Sequence, residues 1–290
     1  MAPKGKLIII GGAINTGSFA ESQFGLPQNM NFFERGILKK ITTESAYDTE
    51  SRFEIITTAS LFPDKVGEEY LRAFRQLDVH NVGILNINNR EQANEDANCE
   101  RLRNADVIIF TGGDQLRLTS IFGGTAFHRL LLEKYEHDSI VIAGTSAGAA
   151  ASSKNMIYQG SSKDALLKGE VKITGGLGFI DDVIIDTHFV QRGRIGRLLY
   201  ATASNPGILG IGLGEDTGLY IYDGKMEAIG SGMVILVDGR NMVDTNLTDV
   251  DMGQPVSIKN MIVHVMSEGD LYNLSEHNLT IRHPKIVSLE

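Results

Sequence analysis

The stretch IVIAGTSAGAAAS, residues 140–152, decides the fold. It opens as a short apolar run, passes through a turn containing two glycines, and continues as a run of small residues. That order reads as a buried strand, a tight turn and a helix. Gly144-Thr145-Ser146-Ala147-Gly148 has the GxSxG spacing of a nucleophile elbow, in which a serine is raised on a strained strand-to-helix turn. Its neighbours come so close that larger side chains at the flanking positions would clash. The helix after it leaves its first amides unpaired, so the Ala147 N–H is a candidate oxyanion donor. Glycine is common in this chain, 32 of 290 residues. The pentapeptide therefore takes its meaning from the strand before it and the helix after it.

Outward from this turn, β-branched runs alternate with helical patterns, as in βαβ units around a parallel sheet. The strand candidates are Leu7–Ile10, Phe53–Thr57, Val82–Asn86, Val107–Phe110 and Ile140–Ala143, near-continuous apolar runs of the kind covered on both faces. Helical patterns occupy 28–43, 65–78, 92–103 and 125–136. Val183–Thr187 reads as a further strand and Arg192–Ser204 as a helix. From about residue 208 short runs with Gly/Asp turns take over: Gly210–Gly214, Gly218–Tyr222, Glu227–Gly230, Met233–Val237 and finally Met261–Met266. The expected fold is α/β: a mainly parallel sheet flanked by helices, with antiparallel strands added to its edge towards the C-terminus. No repeat, low-complexity tract or linker divides the chain, so one domain over 1–290 is expected.

Composition limits the function. The formal net charge is −9 and no Lys/Arg cluster of nucleic-acid type occurs, which argues against a phosphate-backbone binder. The single cysteine, Cys99, excludes an intramolecular disulfide and a cysteine-based zinc site. The apolar run at Leu7–Ile10 is too short for a signal-peptide core and no stretch has the length a bilayer needs. A soluble, cytoplasmic protein without membrane contact is the expectation.

A second glycine turn, Thr111-Gly112-Gly113-Asp114-Gln115, follows the strand Val107–Phe110. In a parallel sheet it opens on the same edge as the elbow, so Gly113 is a candidate for the second oxyanion amide. Neither GxGxxG nor GxxxxGK[ST] occurs here, so a nucleotide-phosphate site is disfavoured. IIIGGAINTG, residues 8–17, is a third such turn and is given only a part in shaping the pocket.

A serine needs a base. Of seven histidines, His188 alone follows a strand directly at the edge where a parallel sheet presents its active-site loops. The base in turn needs an acid to orient it. Glu215, at a strand end between glycine and Asp216, suits that role; Asp186 and Asp216 are its rivals. Arg192, Arg194 and Arg197 follow His188 at a helix start, where positive charge opposes the helix dipole without a local structural reason. Recognition of carboxylates is the reading favoured there, with phosphate as the alternative.

Taken together, IIIGGA, FTGGDQ, GTSAGAAA, DTHFVQRGRIGRLL and GIGLGEDTG, in this order, resemble the cyanophycinases, of a serine peptidase family that also contains the aspartyl dipeptidase peptidase E. The resemblance implies an α/β fold related to class I glutamine amidotransferases and a homodimer. It further implies hydrolysis of cyanophycin, a poly-aspartate carrying arginine on each β-carboxyl, to β-Asp-Arg dipeptides, with no cofactor and no metal. Carried over, Ser146 is the nucleophile, His188 the base and Glu215 its acid; Gln115, Asp186, Thr187, Arg192, Arg194 and Arg197 line the substrate pocket. Thr187 departs from the glutamine often found there, which puts the substrate in question more than the chemistry. The alternatives are a peptidase E-like aspartyl dipeptidase and a protein that binds β-aspartyl-arginine without cleaving it.

Overall fold

A computed structural model describes residues 2–17 and 32–283. The apolar runs ahead of the elbow do form a parallel sheet, in the order Lys6–Ile10, Val141–Thr145, Val107–Phe110, Phe53–Ile56 and Val82–Leu85. On the other side of Lys6–Ile10 the sheet continues antiparallel through Thr217–Tyr222, Lys225–Gly230, Leu271–Asn273 and Asn278–Thr280, to nine strands. Successive side chains of a strand face opposite ways, and here they feed two cores. Ile8, Ile10, Ile55 and Ile109 pack with Leu38, Ile41, Tyr70 and Phe74. Leu7, Ile9, Ile56 and Ile108 pack with Leu102, Leu118, Phe127 and Leu131. Burial on both faces is the reason the inner strands Val107–Phe110 and Val141–Thr145 carry no charged residue, while the edge strand Val82–Leu85 is half-buried over its first three residues.

The helices lie close to their patterns: Pro63–Gln76, Asp96–Arg103 after a 3-10 turn at Gln92–Asn94, and Ala126–His137. Of the 28–43 pattern, residues 28–31 lie outside the described residues. The remainder is interrupted by an extended Gly36 and forms Phe32–Arg35 and Ile37–Glu44. Side-chain caps fix two of the helix starts: Asp114 accepts from the Leu116 amide, and Thr125 from that of His128. No helix among the described residues is long and apolar enough to cross a membrane.

One expectation is corrected. Three of the later strands do not extend the main sheet. Leu209–Leu213, Val234–Asp238 and Ile262–Met266 join Val183–Asp186 in a separate four-stranded sheet, parallel only between Val183–Asp186 and Leu209–Leu213. Its inner face, with Ile211, Leu213 and Leu236, shares the core of Leu7 and Ile9. Helix Ile195–Ser204 covers the outer face through Leu198 and Ala201. That helix starts three residues later than its pattern because Gly193, at φ 58°, turns the chain first. The two sheets meet where the carboxyl end of Lys6–Ile10 approaches those of Val183–Asp186 and Leu209–Leu213.

Candidate active site

Val141–Thr145 leads into helix Ala147–Ser152 through Ser146, which sits at φ 51°, ψ −100°. A non-glycine residue held there is strained, and such strain collects at functional sites. The flanking glycines are explained by contact. A β-carbon on Gly144 would lie 2.5 Å from the Gly148 carbonyl carbon, and one on Gly148 would lie 2.6 Å from the Phe110 oxygen. The turn is held by the Ser146 amide, which donates to Ile10 O at 2.8 Å, and by the Ser146 carbonyl, which accepts from the Ala150 amide at 2.9 Å.

Ser146 Oγ lies 3.0 Å from His188 Nε2, and His188 Nδ1 lies 2.9 Å from Glu215 Oε1. These partners fix the tautomer: Nδ1–H donates to the carboxylate, and Nε2 is free to accept the serine proton. Burial holds the imidazole below its ordinary pKa; the bond to Glu215 acts in the opposite sense, and the Arg192 charge adds to the lowering. The lowering favours the neutral ring, the form that a general base requires. The rivals for the acid position are occupied elsewhere. Asp216 accepts from the Asn15 amide at 3.0 Å and the Ser231 hydroxyl at 2.8 Å, and Asp186 faces two arginines.

The third glycine turn does more than shape a pocket. Three consecutive carbonyls, those of Ile10, Gly11 and Gly12, accept amides from Ser146 at 2.8 Å, His188 at 2.9 Å and Asp216 at 2.9 Å. One backbone segment thus sets the relative positions of the serine, the imidazole and the loop bearing Glu215. Gly12, at φ 127°, lies against the imidazole, where a β-carbon would stand 2.6 Å from Nε2 and closer still to Cε1. His188 and Asp216 are themselves at positive φ, 48° and 44°, so strain is concentrated on the segments this turn holds. Sequence reasoning passed over Gly11 and Gly12 because a backbone carbonyl leaves no side-chain signature.

The Thr111–Gln115 turn comes up beside the elbow. A β-carbon on Gly112 would lie 3.5 Å from that of Ser146. Gly113, at φ 144°, packs against Ala59 O, and the Asp114 amide donates to the same carbonyl at 3.0 Å. The amides of Gly113 and Ala147 donate to no backbone carbonyl among the described residues. Gln115 is half-buried and its Nε2 donates to Ile157 O at 3.0 Å.

The arginines divide. Arg197 is buried, its Nη1 on Gly160 O at 3.1 Å and its Nη2 on Asp186 Oδ1 at 3.3 Å. Its Nε lies 3.0 Å from Asp186 Oδ2, an ion pair whose angle is too poor for a hydrogen bond. Arg194 Nη1 reaches Asp186 Oδ1 at 3.0 Å and Thr187 O at 2.8 Å, and the Thr187 amide donates to Asp186 Oδ1 at 3.0 Å. Asp186 is therefore the structural reason for positive charge at this helix start, a pairing that its spacing in the sequence does not reveal. Arg192 is exposed and forms no ion pair among the described residues. Neither of two large clefts, about 1050 and 880 Å³, includes Ser146, His188 or Glu215; the side-chain geometry, not cavity size, marks this site.

Residues 34–229 match the model of peptidase family S51. Over 226 residues, 78% of this chain and 70% of the other, the sequence is 37% identical to a cyanophycinase of Synechococcus elongatus. Over 279 residues, 96% and 88%, it is 34% identical to a cyanophycinase of Trichormus variabilis. The fold resembles that of a crystallised peptidase from an acI-B1 actinobacterium, with TM-score 0.60 at 21% identity over 82% of this chain and 92% of that one. The protein is a serine peptidase. More particularly, the chain belongs to peptidase family S51.

Proposed function

We propose that the protein is a serine-type exopeptidase that hydrolyses cyanophycin, multi-L-arginyl-poly-L-aspartate, to β-Asp-Arg dipeptides through an acyl-enzyme at Ser146. The observation that carries the proposal is the continuous line from Ser146 Oγ through the imidazole to Glu215, at 3.0 and 2.9 Å. His188 Nε2 removes the serine proton as Oγ attacks the carbonyl of an aspartyl backbone bond. Glu215 keeps Nδ1–H in place and stabilises the imidazolium. The negative oxygen is held by the amides of Ala147 and Gly113, each such donor contributing about 2.7–4 kcal/mol of barrier lowering. His188 then protonates the leaving amine, and water, activated by the same imidazole, releases the acyl group.

The substrate rests on the relatives that carry the name cyanophycinase and on Arg192, whose exposed guanidinium beside the base suits a substrate carboxylate. Asp186, Arg194 and Arg197 support that wall through their mutual pairing, with Thr187 and Gln115 bordering it. Both sheets contribute to the one site, so the chain is read as a single hydrolytic unit. A cytoplasmic homodimer belongs to the same proposal, supported by the family resemblance and checked by light scattering.

The test is mass spectrometry of products from cyanophycin and from Asp-Xaa dipeptides. The parent protein is expected to release β-Asp-Arg from the polymer and Ser146→Ala to release none. Full activity in Ser146→Ala would sink the nucleophile, and cleavage of the dipeptides alone would move the assignment to an aspartyl dipeptidase.

A further inference from the structure

The strained elbow is braced on one side by something the mechanism does not use. Thr145, immediately before Ser146, is buried and pairs in parallel register with Ile10. Its Oγ1 lies 2.9 Å from the phenolic oxygen of Tyr70, which comes from helix Pro63–Gln76. The Tyr70 ring is fixed in turn: it stacks on Phe74 with centroids 6.4 Å apart, and Phe74 packs on Phe53 at 4.8 Å. The phenol is buried, and burial pushes its pKa up to about 12, so it keeps its proton throughout the neutral range.

The buried hydrophobic side chains that pack with Tyr70 are Ile, Val, Ala, Leu and Phe. Phenylalanine and valine would fill the same space without two hydroxyls to desolvate, and replacing both partners of a buried hydrogen bond by apolar groups is close to neutral for stability. Stability alone therefore gives no reason for the pair. What it adds is direction. The Ser146 amide is tied to Ile10 O and its carbonyl to the Ala150 amide; the hydroxyl bond ties the preceding residue to a rigid aromatic stack. We propose that Tyr70 is a positioning residue for the nucleophile, holding Thr145 so that the turn keeps Ser146 Oγ in register with His188. This rests on the reading of Ser146 as the nucleophile.

The test compares Tyr70→Phe, Thr145→Val, Thr145→Ser and the Tyr70→Phe/Thr145→Val double variant with the parent. The measurements are melting temperature, kcat and KM on cyanophycin, and the rate at which a serine-directed fluorophosphonate labels Ser146. Tyr70→Phe is expected to lower kcat and labelling together by roughly ten-fold, since sub-ångström displacement of a reacting group is costly, with KM within two-fold. Thr145→Ser, which keeps the hydroxyl, stays near the parent. The double variant regains the parent melting temperature but not its kcat or labelling rate. Recovery of both rates to within two-fold in the double variant, or their retention in Tyr70→Phe, would overturn the proposal. If the parent labels at Ser146 but releases nothing from cyanophycin, the substrate reading fails while the labelling rates still decide the role of Tyr70. If Ser146→Ala retains turnover, the nucleophile reading fails and this proposal falls with it.

Discussion

Gly12→Ala perturbs the site through one atom. The new β-carbon would stand 2.6 Å from His188 Nε2 and 2.9 Å from Nδ1. The nearest ring atom, Cε1, is closer still, and non-bonded carbon rests at about 3.5 Å or more from such atoms, so the imidazole must retreat by more than about 1 Å or the Gly12 backbone must yield. The ring cannot retreat freely, because it is held at 3.0 Å by Ser146 and 2.9 Å by Glu215. Displacement on this scale stretches at least one of those bonds past hydrogen-bonding distance. Misplacement of about 1 Å costs on the order of 100-fold in rate, and that is the expected fall in kcat. The backbone adds a second, separable effect: φ 127° is unfavourable for alanine and costs about 1–3 kcal/mol of stability. Gly224→Ala separates the two. Gly224 is also at positive φ, 71°, but a β-carbon there meets nothing within 4 Å; it should lose comparable stability and keep its kcat. Steady-state release of dipeptide, measured well below both melting temperatures, decides the matter. A Gly12→Ala protein with kcat within three-fold of the parent would refute the account of Gly12 as the surface that seats the imidazole.

Other outcomes follow from the same geometry. Because His188 must be neutral to act and burial lowers its pKa, the acid limb of kcat/KM should lie below that of an ordinary histidine. Arg192→Gln, which removes a neighbouring positive charge, moves the limb to higher pH and Glu215→Gln moves it lower; a pH–rate profile unchanged by both would contradict the assignment of His188. Asp186→Asn leaves Arg197 as an uncompensated buried charge and should destabilise by about 3–5 kcal/mol, read from the denaturant midpoint at constant slope. Burial pushes the Glu44 pKa up, but its bonds to Lys6, Lys40 and Tyr220 outweigh this and hold it at about 2, well below the ordinary glutamate range. Its stabilisation is present above the unfolded value and is lost as pH falls through the folded one. Glu44→Gln should therefore weaken the protein at pH 7, by on the order of 1–2 kcal/mol after allowing for its partial exposure, with the difference closing between about pH 4.5 and 2 in thermal melts.

Which parts of this molecule were legible in its sequence follows from what each part is made of. The parallel strands were legible because burial on two faces demands an apolar run, and Val107–Phe110 shows all four residues buried. The elbow was legible because its glycines answer a steric demand that no other residue meets. The second sheet was not, since LGIGL and VILVD state that a strand is buried without stating beside what. Their partners are settled by Val183–Asp186, which runs parallel to Leu209–Leu213 and so delivers His188 to the same edge as Glu215. The arginines were legible as charges and not as pairs: Arg194 and Arg197 read as an unexplained basic helix start until Asp186, eight and eleven residues upstream, is placed between them. The least legible feature is also the one that joins the rest. Ser146 comes from the nine-stranded sheet, His188 and Glu215 from ends of the four-stranded one, and neither sheet alone fixes the distance between hydroxyl and imidazole. That distance is set by the carbonyls of Ile10, Gly11 and Gly12, each bonded to one of the three segments. Only a residue without a side chain can carry the chain between them, because a β-carbon on Gly11 would lie 2.6 Å from Leu213 O and one on Gly12 would enter the space of the ring. The glycines of IIIGGA are thus required by the junction of two sheets, a constraint that exists only once both sheets are folded.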